Sequence, residues 1–169
     1  MEKNLKNVMR LTVVARRFFV HQAKQQDWDT NLGGWCLLAS RTLEAVLTRS
    51  GIPCVTVGTK DLSGHFWVEV GKYIIDITAT QFGVLQPIVV LNKEEDDIHK
   101  RYTQKGNVIA LGSALEAIHK KWHRFAVTDD IVEPYVLEIL DWVKGIKYPT
   151  KVRPLFEIAR ERSKVLAAA

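Results

Sequence analysis

The sequence predicts an α+β fold. Three observations carry that expectation: two segments with apolar residues three and four apart open the chain, the period changes to two between residues 54 and 91, and helical spacing returns after about residue 106. In residues 3–24, Leu5, Val8, Met9, Leu11, Thr12, Ala15, Phe18 and Phe19 form one face of an amphipathic helix. The polar run QQDWDTNLGG breaks it. Residues 35–50, WCLLASRTLEAVLTRS, hold no Gly or Pro and repeat Cys36, Leu37, Ala39, Leu43, Val46 and Leu47, a more buried helix that Gly51 ends.

Strands are expected at CVTVG (54–58), GHFWVEV (64–70), YIIDIT (73–78) and PIVVL (87–91). Gly71-Lys72 suits a two-residue turn with Gly first, which makes residues 64–78 a β-hairpin. A polar surface stretch, NKEEDDIHKRYTQKGN, follows, then helical patterns near 108–125, 130–144 and 153–166. The expected organisation is one domain over 1–169, with a core at about 25–92 and a helical C-terminal extension at about 106–167.

Composition removes several classes. With 169 residues, 47% of them hydrophobic and 25% charged, the chain is long enough and apolar enough to bury a core without staples. Two cysteines, Cys36 and Cys54, are too few for a disulfide scaffold, and no apolar run reaches the roughly 20 residues of a membrane span. Arginines interrupt the apolar stretches at the N-terminus, so a secretory signal is not expected and a reducing, cytoplasmic setting is. The net charge is +5; residues 1–24 alone carry six bases and one acid. Without a nucleic-acid motif this reads as a solvated basic helix face, with no nucleic acid as partner.

The chemistry concentrates in three blocks. Cys36 follows Gly33-Gly34-Trp35 and opens a helix, so its sulfur sits by the positive helix end, an environment that favours a thiolate, and the unpaired N–H groups there suit an oxyanion. Pairing across Gly71-Lys72 sets Val70 against Tyr73, Trp67 against Asp76 and His65 against Thr78. Alternation then gathers His65, Trp67, Glu69, Asp76 and Thr78 on one face, and Phe66, Val68, Val70, Tyr73, Ile75 and Ile77 on the other. His65 and Asp76 become diagonal neighbours within reach of a hydrogen bond. Nucleophile, proton shuttle and orienting carboxylate are the parts of an acyl-transfer site.

At these residues the sequence resembles the transglutaminase-like branch of the papain-like cysteine enzymes, which includes small bacterial peptidase-like proteins and lasso-peptide leader proteases. The blocks are Cys36 after glycines at a helix start, His65 in His-Phe-Trp-Val-Glu-Val and Asp76 in Ile-Asp-Ile-Thr-Ala-Thr-Gln-Phe, together about residues 30–85. The resemblance implies a Cys-bearing helix packed on a small antiparallel sheet, with extra N- and C-terminal helices. It implies Cys36 as nucleophile, His65 as general acid/base and Asp76 as orienter in a protease, deamidase or transglutaminase acting on a peptide or protein amide, with no cofactor and no metal. No oxyanion side chain is singled out among Gln22, Gln25, Gln26 and Asn31.

Other readings stay open. Trp35, Trp67, Gly34 and Gln81 are candidates for the substrate groove, although core packing suits either Trp at least as well, and Thr78 and Gln81 could order the site or simply pack their loop. His119 and His123 stand four apart, as two zinc ligands do, but lack a third; Cys36, His65 and Asp76 could themselves be read as metal ligands. Glu94-Glu95-Asp96-Asp97 is expected to be a solvated loop. A catalytically inactive relative would use the groove as a peptide- or protein-binding module, with the terminal helices as partner surface. A small effector or toxin that modifies a host protein is the same chemistry in another biology.

Overall fold

The computed structural model describes residues 2–59, 64–100, 108–110 and 127–145. Helix α1 (Glu2–Gln25) leads through a ten-residue loop into α2 (Cys36–Arg49). Four strands follow, β1 (Val55–Thr59), β2 (Phe66–Val70), β3 (Tyr73–Asp76) and β4 (Val89–Asn92), then the short β5 (Val108–Ala110) and helix α3 (Asp129–Val143). The strands form one antiparallel sheet in the order β4-β3-β2-β1-β5. The fold is α+β.

Helices α1, α2 and α3 cover one face of the sheet. Phe18 and Phe19 of α1, Leu38, Leu43 and Leu47 of α2, and Ile131, Tyr135 and Ile139 of α3 share a core with Val68, Ile75 and Ile77. Phe18 meets Phe19, Tyr135 and Trp142 edge-on at 5.4–5.8 Å, contacts each worth roughly 0.5–1.5 kcal/mol beyond their burial. On the opposite face Val57, Trp67 and Ile74 form a second, smaller cluster. Alternation thus places Val68 and Ile75 towards the helices and Trp67 and Ile74 away from them. Gly71 takes φ +57° at the hairpin turn, and Val70 pairs with Tyr73 and Val68 with Ile75, the register expected.

Two expectations about the chain change. Residues 108–110 form a strand, not the start of a helix, because the free edge of β1 supplies backbone partners: Val57 pairs with Ala110 and Thr59 with Val108. The first helix is also less of a solvated basic face than its charge suggests. Arg16 is buried, donating to the Ile77 carbonyl at 2.5 Å, the Thr30 carbonyl at 3.0 Å and Thr80 Oγ1 at 3.1 Å. The helical patterns at 111–125 and 153–166, with His119 and His123, lie outside the described residues. Among the described residues no helix is long and apolar enough to cross a membrane.

Candidate active site

Because β2 and β3 are antiparallel, the start of one lies beside the end of the other. His65 immediately precedes β2 and Asp76 ends β3, so both stand at the same end of the sheet. The N-terminus of α2 arrives there too: the backbone N–H of Phe66, the residue after His65, points at the Cys36 sulfur, as do the N–H groups of Leu37 and Cys36 itself. The loop before Cys36 is shaped by local bonds. Asp29 accepts from the Asn31 N–H at 3.0 Å, Asn31 Oδ1 accepts from the Gly33 N–H at 2.7 Å, and Gly34 turns the chain at φ +79°. Leu32 sits at φ +62°, a strained conformation for a leucine, held by complete burial of its side chain.

His65 Nε2 lies 2.6 Å from Asp76 Oδ2, with both side chains buried. Asp76 Oδ1 accepts from the Thr78 N–H at 2.7 Å and Thr78 Oγ1 at 3.0 Å. Burial alone would raise the Asp76 carboxyl; hydrogen bonds from His65, His99 and Thr78 overturn that and hold it well below the usual carboxylate range. Gln81 fixes the histidine tautomer. Its Nε2 must face the Thr78 carbonyl, 3.0 Å away, so the same NH2 donates to His65 Nδ1 at 3.3 Å, and the ring proton belongs on Nε2, shared with Asp76.

The cysteine departs from expectation. Backbone N–H groups favour the thiolate, as the helix start suggests, but burial is the larger effect and the Asp76 charge adds to it. The Cys36 thiol is pushed up to about 11 and rests protonated.

For both candidate Trp side chains, core packing is the arrangement the structure adopts. Trp35 packs in the core, edge-on to Phe19 at 5.8 Å, and Trp67 is fully buried beneath the rings of His65 and His99, so neither indole lines an open wall. Large aromatic side chains bury more area inside than at a rim, which is what decides both positions. Gly34 is exposed ahead of Cys36, and Gln81 touches His65. The half-exposed ring of Phe82 stands perpendicular to His65 at 4.7 Å. Asn31 spends its amide on Asp29 Oδ2 at 2.7 Å and its carbonyl oxygen on Gly33, which removes it as an oxyanion donor.

Sequence reasoning missed Asp96 and His99. The loop expected to be solvated buries both, because Asp96 Oδ1 caps the turn, accepting from the N–H groups of Ile98 and His99, and His99 reaches under the sheet to Asp76 Oδ2 at 3.1 Å. The available signal was the Asp-x-x-His spacing with an apolar Ile98 inside a charged run. His65, Asp76 and His99 bring possible metal-ligand atoms within 4.8 Å of one another, a set that excludes Cys36. The donor chemistry does not fit a cation there, since the Gln81 amide leaves a proton, not a lone pair, on His65 Nε2.

Comparison of the chain with protein-family models, with curated proteins and with solved structures finds no match.

Proposed function

We propose that the protein is a cysteine-dependent acyl-transfer enzyme with a papain-like, transglutaminase-like core, acting on an amide carbonyl of a peptide or protein. The observation that carries the reading is the buried 2.6 Å bond between His65 and Asp76, set at the end of the sheet where α2 delivers Cys36. With the imidazole proton held on Nε2 by Asp76, Nδ1 is the basic nitrogen. A substrate entering over Cys36 displaces the long Gln81 contact, and Nδ1 takes the thiol proton as sulfur attacks the carbonyl carbon.

The carbon–sulfur bond forms, and the carbonyl π electrons move to oxygen, where N–H groups at the start of α2 stabilise the oxyanion. Its collapse expels the amine, which takes the proton from Nδ1, and leaves a thioester on Cys36. Water then gives hydrolysis, whereas a second amine gives transfer. Because the thiol rests protonated, proton removal and attack are coupled.

The test is acyl transfer from p-nitrophenyl acetate and from a peptide-amide mixture, with the acyl group located by mass spectrometry. The wild-type protein should carry a transient acyl group on Cys36, Cys36→Ala should form none, and His65→Ala should be slower by about 10²–10⁴. Undiminished turnover in both variants would overturn the proposal. One observation favours a second reading, a peptide-binding module of the same core: His65 is only 1% exposed. Its mark would be a peptide bound equally well by wild type and Cys36→Ala, with no acyl group formed.

A further inference from the structure

Asp76 Oδ2 receives two imidazoles, His65 from ahead of β2 at 2.6 Å and His99 from the loop after β4 at 3.1 Å. The other nitrogen of His99, Nδ1, lies 2.9 Å from Asp96 Oδ1. An ionised carboxylate accepts and cannot donate, so each His99 nitrogen must bring its own proton. A neutral imidazole has only one.

We propose that His99 is a positioning residue of the candidate acyl-transfer site, an imidazolium clamped between Asp76 and Asp96 that keeps Asp76 ionised and leaves His65 the neutral base. The assignment of a catalytic role rests on the function proposed above; the charge state rests on the bonding alone. Burial opposes a charged His99, but Asp76 and Asp96 outweigh it and raise the imidazole above its ordinary value.

The surroundings support the same charge state. His99 meets Asp96 on its own loop, Asp76 on β3 and, ring over ring at 5.9 Å, His65. Trp67 closes the space beneath it at 4.9 Å. Further off, Arg16 of α1 and Cys36 of α2 act on Asp76, and the exposed Lys100 acts on Asp96. The buried groups Arg16, Asp76, His99 and Asp96 then balance to zero. The two imidazole rings lie 5.9 Å apart, so a positive charge held on His99 disfavours a second one beside it.

The experiment is a pH titration of the full chain labelled with ¹⁵N-histidine, followed by proton–nitrogen correlation spectra. The wild-type protein at pH 7 should show protons on both nitrogens of His99 and on Nε2 alone of His65. Asp96→Asn should let His99 lose a proton at lower pH, and His99→Gln should move the acid limb of any Cys36-dependent turnover to higher pH. A neutral His99 in the wild type at pH 7 overturns the proposal without needing any variant. So does a folded His99→Gln whose turnover keeps the wild-type pH profile, or stoichiometric Zn²⁺ that removes both Nε2 protons. The predicted spectra without any turnover would overturn the acyl-transfer reading and leave the clamped imidazolium standing.

Discussion

The reactivity of Cys36 should run against the habit of cysteine nucleophiles. Raising the thiol from its ordinary 9.0 to about 11 disfavours the thiolate by about 3 kcal/mol. At pH 8 a thiol of the ordinary value is about one-tenth ionised, whereas Cys36 is about one-thousandth ionised. Alkylation by iodoacetamide at that pH should therefore be about 100-fold slower than in the urea-unfolded chain, and should climb with pH past 10. Removing the Asp76 charge in Asp76→Asn should speed it. The His65→Ala variant should alkylate much as the wild type does, because no resting thiolate is there to lose. Mass spectrometry of the Cys36 peptide resolves it from Cys54, whose thiol burial also raises. A reactive plateau below pH 7 that vanishes in His65→Ala would overturn this expectation, since it would mean a preformed ion pair had overcome burial.

Four further outcomes follow from the packing and charges. Because the Asp76 carboxyl is lowered in the fold, its stabilisation is present above the ordinary carboxylate value of 3.8 and is lost as pH falls through the folded value; urea unfolding at pH 7 and pH 3 should show that loss in wild type and not in Asp76→Asn. Asp76→Ala, which strands two buried histidines, should cost about 3–5 kcal/mol at pH 7 in the same assay, and a cost below 1 kcal/mol would deny the network any structural weight. A β-carbon at Gly58 would lie 2.3 Å from the Phe66 ring, so Gly58→Ala should lower stability by about 1–3 kcal/mol in thermal melts unless that ring can swing away. Burial, then the Asp141 charge, pushes the Glu138 carboxyl up to about 7 from 4.5, so its effect is a loss of stability as pH rises between those values. Glu138→Gln should remove that slope and gain about 1–2 kcal/mol at pH 8, allowing for solvent screening; an unchanged slope would place the titration elsewhere.

Local pattern made much of this molecule legible. The spacing of Phe18, Phe19, Leu43 and Leu47 marks both N-terminal helices because each buries one stripe, and Gly71-Lys72 fixes a hairpin register from which the His65–Asp76 pairing follows by alternation. What escaped was set by contacts distant in sequence. Val108–Ala110 is a strand because β1 has an open edge, a fact absent from its own neighbours. His99 lies 23 residues beyond Asp76, inside a charged run whose composition describes its exposed members and hides its buried ones. The sign of the Cys36 shift was equally out of reach, since helix geometry can be read from Gly33-Gly34-Trp35 but the depth of burial that outweighs it cannot.

The buried guanidinium of Arg16 imposes an order of events. It joins a helix near the beginning of the chain to the Ile77 carbonyl 61 residues on and to Thr80 64 residues on, while the His99 clamp waits for residues later still. Such distant closures come late in folding, after the local helices have formed. During synthesis Cys36 therefore emerges long before His65, Asp76 and His99, and it keeps the ordinary reactivity of an unfolded thiol until the closing fold buries it.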